Sequence, residues 1–188
     1  MKNYHVRVLA IISVFFSFVG CGGGGSQNLG QGKTVNLSSS ITSGTSLAAS
    51  TSVSNFSDMA GLSYTLTSVP LSNINGTITA SDIAITNYKV TYTYTGNANS
   101  SDNNKYPIPE FSLNLGGKVP AGGTLLLSGS PMIQPAVKDY IQKNYSAVFS
   151  NFSGNVLTYN ATVTFSGNEI NTNTPISTTT NATVWISK

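Results

Sequence analysis

From Leu62 onward the chain alternates apolar and polar residues with a period of two, and this pattern restricts it to β-structure more than any other feature does. In "LSYTL", Leu62, Tyr64 and Leu66 share one face, with Ser63 and Thr65 on the other. "YKVTYTYT" sets Tyr88, Val90, Tyr92 and Tyr94 opposite Lys89, Thr91, Thr93 and Thr95. Ile83 and Ile85 have the opposite parity to Tyr88, so a bulge or turn near Thr86-Asn87 must switch the face if both sets are core. "LTYNATVTF" aligns Leu157, Tyr159, Ala161, Val163 and Phe165, and the last segment aligns Ile176, Thr178, Thr180, Ala182, Val184 and Ile186. Shorter candidates are "TIT" (77–79), "FSLNL" (111–115) and "TLLLS" (124–128).

Residues that tolerate positive φ separate these runs, among them Asn75-Gly76, Gly96-Asn97, Gly116-Gly117, Gly122-Gly123 and Gly154-Asn155. The one helical interruption is "PAVKDYIQKNY", where Val137 and Ile141 share a face and Pro135 suits a first turn. It is expected to be a short crossover helix over about residues 134–143. Seven to nine short strands with frequent turns predict an all-β domain, an antiparallel immunoglobulin-like β-sandwich over residues 56–188. The cysteine pair common in that architecture is absent. Closure into a barrel is the alternative that the pattern leaves open.

The N-terminus has a different character. Lys2, His5 and Arg7 precede the apolar run "VLAIISVFFSFV", which ends at Gly20-Cys21. Twelve residues rise about 18 Å as a helix, against roughly 30 Å for a bilayer core. A basic start, a short apolar run and a small-residue exit predict a secretory signal peptide over residues 1–20. Val19, Gly20 and Cys21 resemble the lipobox of bacterial lipoproteins, with Phe18 standing where leucine is commonest. The resemblance covers residues 1–21 alone. It implies cleavage between Gly20 and Cys21, a diacylglycerol on the Cys21 sulfur and an acyl chain on the new amino group. Several acyl chains hold a protein on a membrane stably where one does not. Gly22 follows in place of the aspartate that retains enteric lipoproteins in the inner membrane, so the resemblance implies an exported protein on the outer membrane, facing the periplasm or the cell surface.

Residues 21–55 are expected to be a flexible tether. "GGGGSQNLGQGK" and "SSSITSGTSLAASTSVSN" have a linker composition, and such a length reaches roughly 30 Å. "KTVNL" (33–37) is the stretch within it with strand character, a candidate to pair with the domain.

Charge narrows the function. Charged residues are 8% of the chain, against about 25% in ordinary soluble domains, and polarity comes from Ser, Thr and Asn instead. Without residues 1–20, seven lysines remain against six acids, so the net charge falls to +1 and no arginine is left. That excludes the clustered cations of a nucleic-acid-binding protein. His5, the only histidine, leaves with the signal, and Cys21 is the only thiol. Ser-His-Asp and Cys-His arrangements and a histidine metal site are thereby excluded. A carboxylate pair or a lysine site is what remains for enzymology, and Asp58, Asp82, Asp102, Glu110, Asp139 and Glu169 are scattered in sequence.

Three further motifs bear on chemistry. "GQGKT" (30–34) ends like a phosphate-binding loop, but Gln27 stands where the first glycine belongs. "NANSSDNNKY" (97–106) gathers oxygen ligands around Asp102 without the spacing or closing glutamate of a calcium loop, and reads as a hairpin tip. Tyr88, Tyr92 and Tyr94 suit either a sugar platform or a core face, and the alternation favours core. Trp185 has the opposite parity to Val184 and Ile186, which makes it the binding candidate. The sequence therefore predicts no enzyme and no cofactor. It predicts a lipid-anchored envelope protein with a structural or protein-interaction role and a protein partner, or alternatively a glycan-binding or adhesive module using Trp185.

Overall fold

The computed structural model describes residues 29–42, 47–72, 79–95, 105–147, 149 and 156–188. The strands are β1 (Gly30–Gln31), β2 (Val35–Ile41), β3 (Ala48–Ser52), β4 (Leu62–Pro70), β5 (Ile83–Tyr94), β6 (Phe111–Val119), β7 (Thr124–Ser130), β8 (Val156–Glu169) and β9 (Pro175–Ser187). Among the described residues one α-helix, α1 (Pro135–Tyr145), lies between β7 and β8. One sheet has the order β1-β2-β4-β7 and the other β3-β9-β8-β5-β6. The fold is thus all-β, in two mostly antiparallel sheets. The exception is β3, which runs parallel to β9.

Alternation places the core. Leu62, Tyr64 and Leu66 of one sheet and Tyr88, Val90, Tyr159, Ala161, Val163 and Phe165 of the other are all buried in one cluster. Tyr64 meets Phe165 and Tyr88 edge-on, with ring centroids 5.2 and 6.3 Å apart, so the sheets face each other across shared aromatic packing. The expected switch of face in β5 is a bulge: the register to both neighbouring strands shifts between Ile85 and Asn87. Thr86 is the extra residue, and it lets Ile85 and Tyr88 both point inward.

Tyrosines can stand at these inward positions because their hydroxyls have partners. Tyr92 donates to the Met132 carbonyl at 2.5 Å, Tyr88 to the Pro131 carbonyl at 2.9 Å and Tyr159 to the Tyr106 carbonyl at 3.0 Å. These bonds tie the segments that precede α1 and β6 onto the core and leave none of the three hydroxyls unpaired.

The tether over residues 21–55 is corrected from Gly30 onward. Strand β2 pairs with β4 over seven residues, and β3 pairs with β9 over five. Ser39 and Thr51, which looked like linker, occupy inward strand positions beside Val35, Leu37 and Ala49. Burial there is possible because the hydroxyls are bonded: Ser39 to Thr178 at 3.4 Å, and Thr51 to the Asp58 carbonyl at 3.1 Å. The folded unit therefore begins before residue 56. Helix α1 extends two residues past the expected end, to Tyr145, and carries the chain from the four-stranded sheet to the five-stranded one. The turn pairs at 75–76, 96–97 and 154–155 and most of "TIT" lie outside the described residues.

Candidate functional site

Trp185 sits on the outer face of the five-stranded sheet, beside Ser50 of β3 and Thr158 of β8 in register. Its neighbours Val184 and Ile186 are fully buried on the opposite face, whereas Trp185 is 44% exposed. It borders a shallow cleft of about 290 Å³ whose other walls are Ser50, Thr51, Ser52, Asp58, Val156 and Ser187. An indole face, several hydroxyls and a carboxylate thus meet at one end of the sheet.

Behind this end lies a buried lysine. Lys138 of α1 is fully covered, and its ammonium donates to Thr51 Oγ1 at 2.5 Å, the Asn55 carbonyl at 2.6 Å, the Ser52 carbonyl at 3.0 Å and the Asp58 carbonyl. Burial lowers the ammonium's pKa, and the nearby Asp58 charge opposes that shift. Three of the four partners are carbonyls, which only accept, so the cage is built for a protonated amine. Gln142, one turn further along α1, donates to the Val53 carbonyl at 3.0 Å. The chain from Thr51 to Asp58 is thereby wrapped around a side chain, much as a loop wraps around a bound cation.

Asp58 closes the loop. Its Oδ1 accepts the Ala60 amide at 2.9 Å, and this bond is the leading reason the carboxyl lies below its usual pKa, burial acting in the opposite sense. Ala60 takes a left-handed φ of 51°, which a residue with a Cβ adopts only at a cost. The cleft therefore presents an ionised carboxylate on a loop fixed at both ends.

Beyond the cleft, the outer face of the sheet forms cross-strand rows. Thr183, Asn160 and Thr93 make one row; Asn181, Thr162 and Thr91 the next; Thr179, Thr164 and Lys89 the third. Lys89 pairs with Glu110 at 2.7 Å and Lys118 with Asp82 at 3.0 Å, so these lysines are matched by acids beside them.

The remaining candidates separate clearly. Tyr88 and Tyr94 are buried and Tyr92 is half-buried, so that stripe is core and offers no sugar platform. Gly20, Cys21 and most of 97–106 lie outside the described residues. Asp82 lies below its usual pKa because of the Ala121 amide first and Lys118 second. Glu169 is fully buried at the far end of β8 from Trp185. Its Oε1 accepts the Thr34 amide at 2.8 Å and the Val35 amide at 3.1 Å, and Oε2 accepts the Thr172 hydroxyl. Burial alone would raise this carboxyl; the hydrogen bonds from Thr172 and the two amides outweigh it and hold the pKa low. Among the described residues no three His, Cys, Asp or Glu side chains group as metal ligands, and no helix is long and apolar enough to cross a membrane.

Lys138 and Glu169 escaped the sequence reading, although each leaves a signal there. Lys138 falls within the apolar stripe of Val137 and Ile141, and Glu169 continues the inward parity of Val163 and Phe165. A charge at an inward position is a reason to look for a cage of partners. No protein-family model matches this chain, and no similar curated protein was found.

Proposed function

We propose that this chain is a non-catalytic protein of the cell envelope, exported and held on the outer membrane by lipid at Cys21, whose domain acts by contact with a partner. The observation that carries the non-catalytic part is the use made of its charged groups. Lys138 and Glu169 are consumed as internal ties, and Asp82, Asp139 and Glu110 are each paired with a lysine. The lipobox resemblance carries the anchor. The same reading takes the two facing sheets as an immunoglobulin-like sandwich, supported by the turn at Pro120–Gly123 that passes the chain from one sheet to the other.

Fractionation of cells expressing the wild type and Cys21→Ser tests the anchor. Wild type should sediment with membranes and carry the mass of acyl chains at Cys21, while Cys21→Ser should do neither. Equal membrane association of the two proteins would refute it. For a protein partner, crosslinking in intact cells followed by recovery of the full-length chain should give a reproducible protein adduct, and recovery of none would refute this part.

A second reading, a glycan-binding module, is favoured by one observation. The half-exposed Trp185 shares its cleft with Asp58 and four Ser or Thr residues. An indole face stacks on a sugar ring while a carboxylate and hydroxyls take its hydroxyls.

A further inference from the structure

We infer that the ligand is an extended, uncharged polysaccharide lying along β8 and β9 on the outer face of the five-stranded sheet, with one sugar ring stacked on Trp185. This rests on the glycan-binding reading and adds to it the ligand's charge, length and path.

The path follows from the register. Trp185 and Thr158 begin a set of rows that continues through Thr183 and Asn160 to Asn181 and Thr162. Side chains two residues apart on a strand stand about 7 Å apart, and neighbouring strands about 4.8 Å. From Trp185 to Thr179 the face runs about 20 Å, long enough for several rings beyond the stacked one. Each Ser and Thr hydroxyl and each Asn amide can both donate and accept, as can every hydroxyl of a sugar.

Charge complementarity fixes the class of occupant. These rows are uncharged as far as Lys89, and that lysine is matched by Glu110 at 2.7 Å. Between Trp185 and Thr179 an acidic polymer would find no free cation, the exposed Lys188 lying past the cleft after the end of β9, and nucleic acid needs several. A protein interface would want an apolar centre, and Trp185 is the one large apolar side chain that these rows expose. A neutral polymer of hydroxyls leaves no charge unmatched on either side. At the Trp185 end the ionised Asp58 accepts hydrogen bonds from sugar hydroxyls without needing a cation from the ligand, because Lys138 lies behind its loop, bonded to the Asp58 backbone carbonyl.

The test uses the full-length protein in native gels containing hydroxyethylcellulose, xylan or glucomannan, or the acidic polymers alginate or polygalacturonate. Emission of Trp185, the only tryptophan, is recorded in parallel. Retardation by at least one uncharged polymer, with a shifted emission and no retardation by the acidic pair, is expected. Trp185→Ala should weaken binding about tenfold or more, as loss of a central aromatic contact does. Asn160→Glu and Thr93→Lys place opposite charges at exposed positions of one row, and circular dichroism checks that both fold. Asn160→Glu should weaken binding several-fold, and Thr93→Lys, one strand further from the path, by less. If Trp185→Ala weakens binding and Asn160→Glu does not, the ligand is confined to the cleft: the extended path is overturned and the glycan reading stands. Preference for the acidic polymers overturns the charge assignment alone. Binding to none of the five overturns the inference and the glycan reading together.

Discussion

Single residues do two kinds of work here, and both concern buried charge. Lys138 gives four oxygens a common partner, so Lys138→Met takes the ammonium from all four at once and leaves the Ser52 carbonyl with the Asn55 amide and the Asp58 carbonyl with the Thr51 hydroxyl. The expected loss is about 2–4 kcal/mol, measured by urea unfolding, with earlier protease cleavage between Ser52 and Asp58. Unchanged stability would mean that the cage is not a tie. Glu169 acts alike at the opposite end of the sheets. Its pKa is depressed in the folded state, so its contribution is complete above the unfolded value, about 4.3, and is lost as pH falls through the folded value. Asp58 and Asp82 are shifted in the same direction and add to the trend. Melting temperature should therefore hold steady down to about pH 4.5 and fall below it. Glu169→Gln, which costs about 1–3 kcal/mol at neutral pH, should flatten that fall. Neither residue was singled out by motif, since a caged charge is defined by partners far away in sequence.

Among the elements, the strands were legible to the extent that they alternate. The bulge at Thr86 could be read because two inward sets of opposite parity require one. Strand β2 could be read only in its first residues, within "KTVNL", and β3 not at all, because serine and threonine inside a strand look like linker until their hydroxyls find partners. The corner where β1 passes β9 shows how closely such segments pack. A Cβ on Gly30 would stand 1.9 Å from the Ser177 carbonyl oxygen, so Gly30→Ala forces backbone apart. That substitution should cost about 1–3 kcal/mol. Gly116→Ala, with open space around it, should change stability by less than about 0.5 kcal/mol. Thermal melts of the two variants side by side check the contrast, and equal effects would show that the corner is loose.

At the scale of the whole molecule, the decisive fact is that residues read as tether are sheet. Deleting residues 29–53 should abolish the cooperative unfolding transition, since β2 covers β4 and β3 supplies two of the acceptors that hold Lys138. A true linker would leave the melt unchanged. Alternation, turn residues and the scarcity of charge were enough to determine an all-β chain with Tyr88 and Tyr94 inside and Trp185 outside, because side-chain parity in a strand is a local property. Which strands pair, that β3 joins β9 in parallel, and that Thr51, Ser52 and Asp58 meet Trp185 at one cleft were decided only by the tertiary structure. Those groups are brought together by hydrogen bonds across more than a hundred residues, and nothing local in the sequence records such a distance.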